Sequence, residues 1–190
     1  MAFEMNNFTV VKKKRLEKSQ FSVECSVETN EQIDKILSVC HTAQVENAEV
    51  LNGVVNYAGS IDICILFSTN SGEIGTVSSA CPFSSKFEDQ TIQVGDRVGI
   101  KVEVEDCEIL GVSNGTVKLS CTCEQSGVLI MERQVQNVAS GDDSVCSKGE
   151  EILVDTLVGQ AQETLMIESE VQIKEAVKKV LLCDSQVAVK

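Results

Sequence analysis

Residues 98–105 read Val-Gly-Ile-Lys-Val-Glu-Val-Glu, and residues 114–123 read Asn-Gly-Thr-Val-Lys-Leu-Ser-Cys-Thr-Cys. In the first run Val98, Ile100, Val102 and Val104 alternate with Gly99, Lys101, Glu103 and Glu105. In the second, Val117, Leu119, Cys121 and Cys123 share one face. Strict alternation is the period of a half-buried strand. Asn-Gly between two such runs supplies the positive φ angles of a tight hairpin. This part of the chain therefore reads as an antiparallel β-hairpin.

The same pattern extends in both directions. Asn52-Gly53 separates residues 43–51 from residues 54–67, where Ile61, Ile63, Ile65 and Phe67 share a face. Thr69-Asn70-Ser71-Gly72 reads as a second turn, leading to a strand near 74–81. Residues 82–95, with Pro82-Phe83, read as a polar loop, and a last strand falls near 127–136. On the N-terminal side Phe21, Val23, Cys25 and Val27 alternate, and residues 6–14 do so weakly. Thr29 followed by Gln32 fits a capping box, and Ile33, Ile36, Leu37 and Cys40 follow at helical spacing, which predicts a short helix over about 30–39. Composition agrees: 27 Val and 13 Ile against 12 Leu favour strands, because a branched β-carbon suits a pleated surface. The expected fold is mainly β, an antiparallel β-sandwich or barrel-like domain with short helices at about 30–39 and 172–183.

The end of the chain repeats its beginning at an offset of 144 residues. Phe21 corresponds to Leu165, Val23 to Ile167, Glu24 to Glu168, Val27 to Val171, Glu31 to Glu175, Ile33 to Val177, Lys35 to Lys179, Leu37 to Leu181 and Val45 to Val189. The expected organisation is a basic N-terminal arm (1–19), a β domain (20–138), a linker (139–160) and a partial second repeat of strand, helix and strand (161–190). Either the chain is a fragment of a longer tandem protein, or the extra unit has a role of its own. Its apolar residues Leu165, Ile167, Val177, Val180, Leu181, Val187 and Val189 cannot be buried by so short a unit alone, so they are the candidate interaction residues.

The residues at 43–124 resemble the SipL-type spore-coat domain (SPOCS). The resemblance rests on Ala43-Gln44-Val45, Leu51-Asn52-Gly53-Val54-Val55, Gly59-Ser60-Ile61-Asp62-Ile63, Pro82-Phe83, the strand 98–106 and Asn114-Gly115 followed by 117–123. Ile33-Asp34-Lys35-Ile36-Leu37 is similar to the helix that introduces each copy in that family. The resemblance implies a non-enzymatic protein–protein interaction module in bacterial spore-coat assembly, binding other spore-coat proteins in the mother cell, with no catalytic residues and no cofactor. Two other classes remain open: a self-assembling surface or appendage subunit, and a small-ligand or peptide-binding β-sandwich.

Charge and cysteine usage narrow the partners. With 16 basic and 29 acidic residues the net charge is −13, and only the arm, through Lys12, Lys13, Lys14, Arg15 and Lys18, is basic. Nucleic acid is not an expected partner, because phosphate neutralisation dominates such binding. The Lys12–Arg15 run reads either as a solvated strand edge or as a site for an anionic partner. Residues 1–7 hold no apolar signal core, and no apolar run approaches the roughly 18 residues of a membrane helix, so neither classical secretion nor membrane insertion is expected; the family resemblance implies the mother-cell cytoplasm and the spore coat. Nine cysteines without C-x-x-C spacing, and the single His41, do not form a metal motif. The cysteines read as small buried thiols of a reducing compartment or, in Cys121, Cys123, Cys146 and Cys183, as candidate cross-links between subunits of a homo-oligomer. The lone His41 reads as a helix-end residue rather than a catalytic base. The carboxylates Glu103, Glu105, Asp106 and Glu108 read as a solvated sheet face rather than a calcium site.

Overall fold

A computed structural model describes residues 4–140, 166–174, 179, 180 and 183. Six strands follow in order: β1 (Glu4–Glu28), β2 (Ile33–Leu51), β3 (Val54–Thr69), β4 (Ile74–Glu88), β5 (Arg97–Ser113) and β6 (Thr116–Ser140). They form two three-stranded sheets, β1-β6-β5 and β2-β3-β4, in which every pairing is antiparallel. The sheets stack face to face. At the lateral edges β1 abuts β4 and β5 abuts β2.

The expected period-2 rows build the core. Val55, Tyr57, Ile61, Ile63, Ile65 and Phe67 of the central strand β3 face Val117, Leu119, Cys121, Cys123, Leu129 and Met131 of the central strand β6, and all are buried. The three turns expected from sequence are the tight connections within sheets. Asn114 and Gly115 carry φ of 49° and 76°, and a β-carbon on Gly115 would overlap the Thr29 carbonyl oxygen. Gly53 and Gly72 turn the β2–β3 and β3–β4 hairpins. Two other connections, Thr29–Gln32 and Asp89–Asp96, carry the chain from one sheet to the other. The second closes an end of the sandwich: Ile92 is buried, and Gly53 N–H donates to its carbonyl at 2.9 Å.

No helix is present among the described residues. The helix expected at 30–39 is instead the start of β2, and the reason is a spacing coincidence. Ile33 pairs with Thr69, Lys35 with Ser68, Ile36 with Phe67, Ser38 with Leu66 and Val39 with Ile65, with register shifts after Ile33 and after Ile36. Each β-bulge inserts one extra residue, so inward-facing residues recur every third position at 33, 36 and 39. That imitates the i, i+3 step of a helix. The Thr29 hydroxyl accepts from the Glu31 N–H at 3.2 Å, a local turn rather than a helix cap. The helix expected at 172–183 is described only at 172–174, 179, 180 and 183, none of them helical; its other residues lie outside the described ones.

Two further departures concern strand ends. Pro82 lies inside β4, opposite Ser60, rather than in a loop. An edge strand tolerates proline where no ladder donor is needed, and β4 is an edge. β1 starts at Glu4 and takes in residues 4–19, paired with β6 with register shifts between Glu4 and Met5 and between Leu16 and Ser19.

Candidate interaction surface

The outer face of sheet β1-β6-β5 is set by register. Reading across β1, β6 and β5, one rung is Lys13, Ile130 and Arg97, and the next is Arg15, Val128 and Gly99. Further along, Ser126 pairs with Lys101, and then Gln20, Glu124 and Glu103 form a rung. One end of this face is therefore cationic around an apolar centre, and the other is acidic. Between them lies a groove of about 500 Å³ lined by Arg15, Lys18, Gly99, Lys101, Ser126 and Val128. Two features open it: the β1 bulge at Glu17 and Lys18, and Gly99, where a β-carbon would meet open space. On the inner side of the same sheet Gly127 is needed, because a β-carbon there would approach Leu16 Cδ1 to 2.9 Å and the Phe87 ring to 3.3 Å.

The cations differ in their partners. Lys18 pairs with Glu124, Lys101 with Glu103 at 2.6 Å and Arg97 with Glu132 at 2.7 Å. The hydrogen bond to Glu124 holds the Lys18 ammonium above its ordinary pKa. Lys13 and Arg15 are exposed and form no ion pair with the described residues. Lys14 points the other way and bonds Asp89 at 2.6 Å and the Thr91 hydroxyl at 3.1 Å. The basic run thus splits: Lys14 fastens the Asp89–Asp96 crossing, while Lys13 and Arg15 belong to the open face.

The Asp89–Asp96 crossing carries the shifted carboxylates. Asp89 is lowered to about 2 by hydrogen bonds from Lys14 and then from the Thr91 hydroxyl and amide. Asp96 is almost wholly buried and is clasped by both terminal nitrogens of Arg133, one of them at 2.9 Å; that contact holds its pKa below the ordinary range. A planar guanidinium matches a carboxylate in this two-point way. Asp89 fixes the loop against β1 through Lys14, and Asp96 fixes it against β6 through Arg133.

A second polar cluster lies inside the core. Gln125, 4% exposed, occupies the inward row of β6. Its Oε1 accepts from the Tyr57 and Ser85 hydroxyls, the latter at 2.7 Å, and its Nε2 donates to Ser19 Oγ at 2.8 Å and the Lys86 carbonyl at 3.1 Å. All four hydrogen-bonding positions of the amide are used, and no buried side-chain polar atom among the described residues lacks a partner. Burial raises the Tyr57 pKa. The arrangement is structural: it ties β1, β3, β4 and β6 at one level.

The residues singled out from sequence fall as follows. Ile167 and Val180 are exposed, while Leu165, Val177, Leu181, Val187 and Val189 lie outside the described residues. Cys121 is fully buried and disulfide-bonded to Cys107, its cross-strand neighbour; Cys25 is bonded to Cys81 and so joins β1 to β4 across the two sheets. Cys123 is buried and free, with its thiol pKa raised by burial, Cys183 is exposed and free, and Cys146 lies outside the described residues. The expectation of free buried thiols thus fits Cys123 but not Cys25 or Cys121. Cys40 and Cys64 are free and face each other across β2 and β3. His41 sits in β2 opposite Ile63, not at a helix exit. Glu105 accepts from Gln20 Nε2 at 2.6 Å, and no group of metal-ligating side chains occurs among the described residues. No described helix is long and apolar enough to cross a membrane.

The groove and the Gln125 cluster were not anticipated. Gln125 had a signal, a lone amide on an otherwise apolar odd-numbered row. The groove had none, because it depends on which β5 residue faces Val128.

Residues 32–110 match the family model described as SipL, SPOCS domain. No curated protein and no solved structure matches the chain. The matched residues run from the connection before β2 through β3 and β4 into β5; this stretch is similar to the SipL SPOCS domain, which points to a sporulation-related protein.

Proposed function

From the similarity to the SPOCS domain at residues 32–110 we propose that the chain is a non-enzymatic interaction module of bacterial spore-coat assembly, working in the mother cell and at the spore surface by binding other coat proteins. The family match carries this reading. The surface supports it: β5 leaves Ile109, Leu110 and Val112 exposed at the sheet edge and Leu37 is exposed on β2, while a charge-divided face opens on the other side of β5. Exposed edge strands are common sites of strand addition. The chemistry of the buried polar groups is spent on structure, since Asp96 is clasped by Arg133 and Gln125 is fully bonded.

The test is a fluorescent fusion followed through sporulation, with in-cell cross-linking and mass spectrometry of the coat fraction. The expected result is accumulation around the forespore and cross-links from β5 or β2 to coat proteins. Diffuse signal throughout sporulation, with no coat protein cross-linked, would overturn the reading. A self-assembling subunit is a second reading, favoured by one observation: the apolar side chains of residues 166–173 are exposed.

A further inference from the structure

The segment Met166-Ile-Glu-Ser-Glu-Val-Gln-Ile173 has no hydrogen-bond or ion-pair partner among the described residues. Every residue from 166 to 174 is exposed, with Met166 at 89% and Val171 at 81%. Extended, it places Ile167, Val171 and Ile173 on one side and Glu168 and Glu170 on the other. It is apolar on one side and anionic on the other, and water is a poor environment for the first.

The groove on sheet β1-β6-β5 has the complementary character. Its floor is Val128 with the bare position Gly99, and Ile130 stands one rung away. Its rim holds Arg15, Lys18 and Lys101, with Lys13 and Arg97 alongside, in a protein whose net charge is −13. Lys13 and Arg15 are the two rim cations with no carboxylate among the described residues. Two cations and two carboxylates, none of them in an ion pair among the described residues, thus flank an apolar trough and an apolar row.

We infer that the groove of one chain receives residues 166–173 of a second copy, with Ile167, Val171 and Ile173 facing Val128 and Gly99, and with the long side chains of Lys13 and Arg15 reaching up past the segment to Glu168 and Glu170 on its outer side. The occupant is a second copy because the segment belongs to this chain, matches the groove in charge and polarity, and covers no part of its own sheet. Such a contact joins two different surfaces, so it propagates from copy to copy unless the rotation closes a ring. This inference goes beyond the coat-assembly reading and does not depend on it.

The experiment measures solution mass of the full chain by light scattering across a concentration series, at low and high salt. Two charge-reversed chains accompany the wild type, Lys13→Glu with Arg15→Glu, and Glu168→Lys with Glu170→Lys. All four positions are exposed, so thermal melts should match the wild type. The expected result is mass that rises with concentration at low salt and falls back at high salt. Each reversed chain alone should need a concentration about tenfold or more higher to associate, and mixing the two should restore association, because the reversed groove then meets the reversed segment. A monomer at every concentration overturns the inference, including one in which hydrogen exchange shows 166–173 protected by its own chain. So does association that neither reversal weakens, or weakening that mixing does not repair. None of these outcomes touches the coat-assembly reading, which is decided in sporulating cells.

Discussion

Replacing Gln125 by leucine keeps the volume of the side chain and removes all four of its hydrogen bonds. The losses are unequal. Ser19 and Ser85 are not buried, so water can replace the amide there. Tyr57 is 2% exposed, and its hydroxyl would be left in the core without a partner. A buried polar group stranded in this way costs about 1–3 kcal/mol, and the Lys86 carbonyl adds a fraction of that, against a small gain from burying leucine; the expected net loss is about 3 kcal/mol. Tyr57→Phe alone should cost about 1 kcal/mol, because Gln125 Oε1 still accepts from Ser85. The double variant is the decisive one. With both partners apolar no hydroxyl is stranded, so it should be more stable than the sum of the single losses by about 1 kcal/mol or more. Urea unfolding followed by far-ultraviolet circular dichroism measures all four corners of the cycle, and it avoids a tyrosine signal that the substitution itself removes, Tyr57 being the one tyrosine. A Gln125→Leu midpoint shifted by less than the equivalent of about 0.5 kcal/mol, or strictly additive losses, would refute the argument that this amide holds the four strands together.

Acid should weaken the fold in a defined window. Asp89, lowered to about 2, and Asp96, also lowered, have folded pKa values below their unfolded ones, so the stability they contribute is present above about pH 4 and is lost as the pH falls toward 2. Urea midpoints measured between pH 5 and pH 2, each an approximate bound of that window, should fall more steeply in wild type than in a chain carrying Asp89→Asn and Asp96→Asn. Gly59→Ala should cost about 2 kcal/mol or more, because its β-carbon would overlap the Gln44 carbonyl oxygen and approach the Phe83 ring to 2.8 Å, while Gly111→Ala, where nothing lies within 4 Å, should leave the midpoint unchanged. Cys25→Ser should destabilise the oxidised protein by about 4 kcal/mol, as the chain-entropy model gives for residues 56 apart, and should have little effect in reductant; equal midpoints in oxidised and reduced wild type would contradict it.

Most of the sheet architecture was legible because three physical signals coincide. Branched residues alternate in Ile61–Phe67 and Val117–Cys123, glycine follows asparagine at two turns, and the charged residues fall on the opposite parity. What failed was local and has a cause. Two bulges between Ile33 and Ser38 gave Ile33, Ile36 and Val39 a spacing of three, and the period alone cannot separate that from a helix. Pro82 argued for a loop because its tolerance depends on β4 being an edge, which is a property of the sheet and not of the tetrapeptide around it. The interaction surface was half legible. The run Lys12–Arg15 was visible as a possible anionic-partner site, but alternation sends Lys14 to the Asp89 crossing and leaves Lys13 and Arg15 on the open face. The partners across the groove, Val128 and Gly99, are over 80 residues away from Arg15 in sequence and are brought to it only by the β1-β6-β5 order.

That strand order also bears on how the chain is made. β2, β3 and β4 are joined by tight hairpins and can pair as soon as each is synthesised. β1 cannot, because its partner β6 is the last of the six described strands: Phe21 waits for Cys123 and Val27 for Val117, a delay of about a hundred residues. At a ribosome speed of roughly 5–20 residues per second, the row Phe21, Val23, Cys25 and Val27 stays unpaired for roughly 5–20 seconds. Throughout that interval the nascent chain presents a sticky strand, and the first β-edge to emerge beside it is β4, whose Cys81 is the native disulfide partner of Cys25. Contact between β1 and β4 before β6 arrives would hold the first strand close to its final place, so that β6, on leaving the ribosome, inserts between β1 and β5 and completes the sheet.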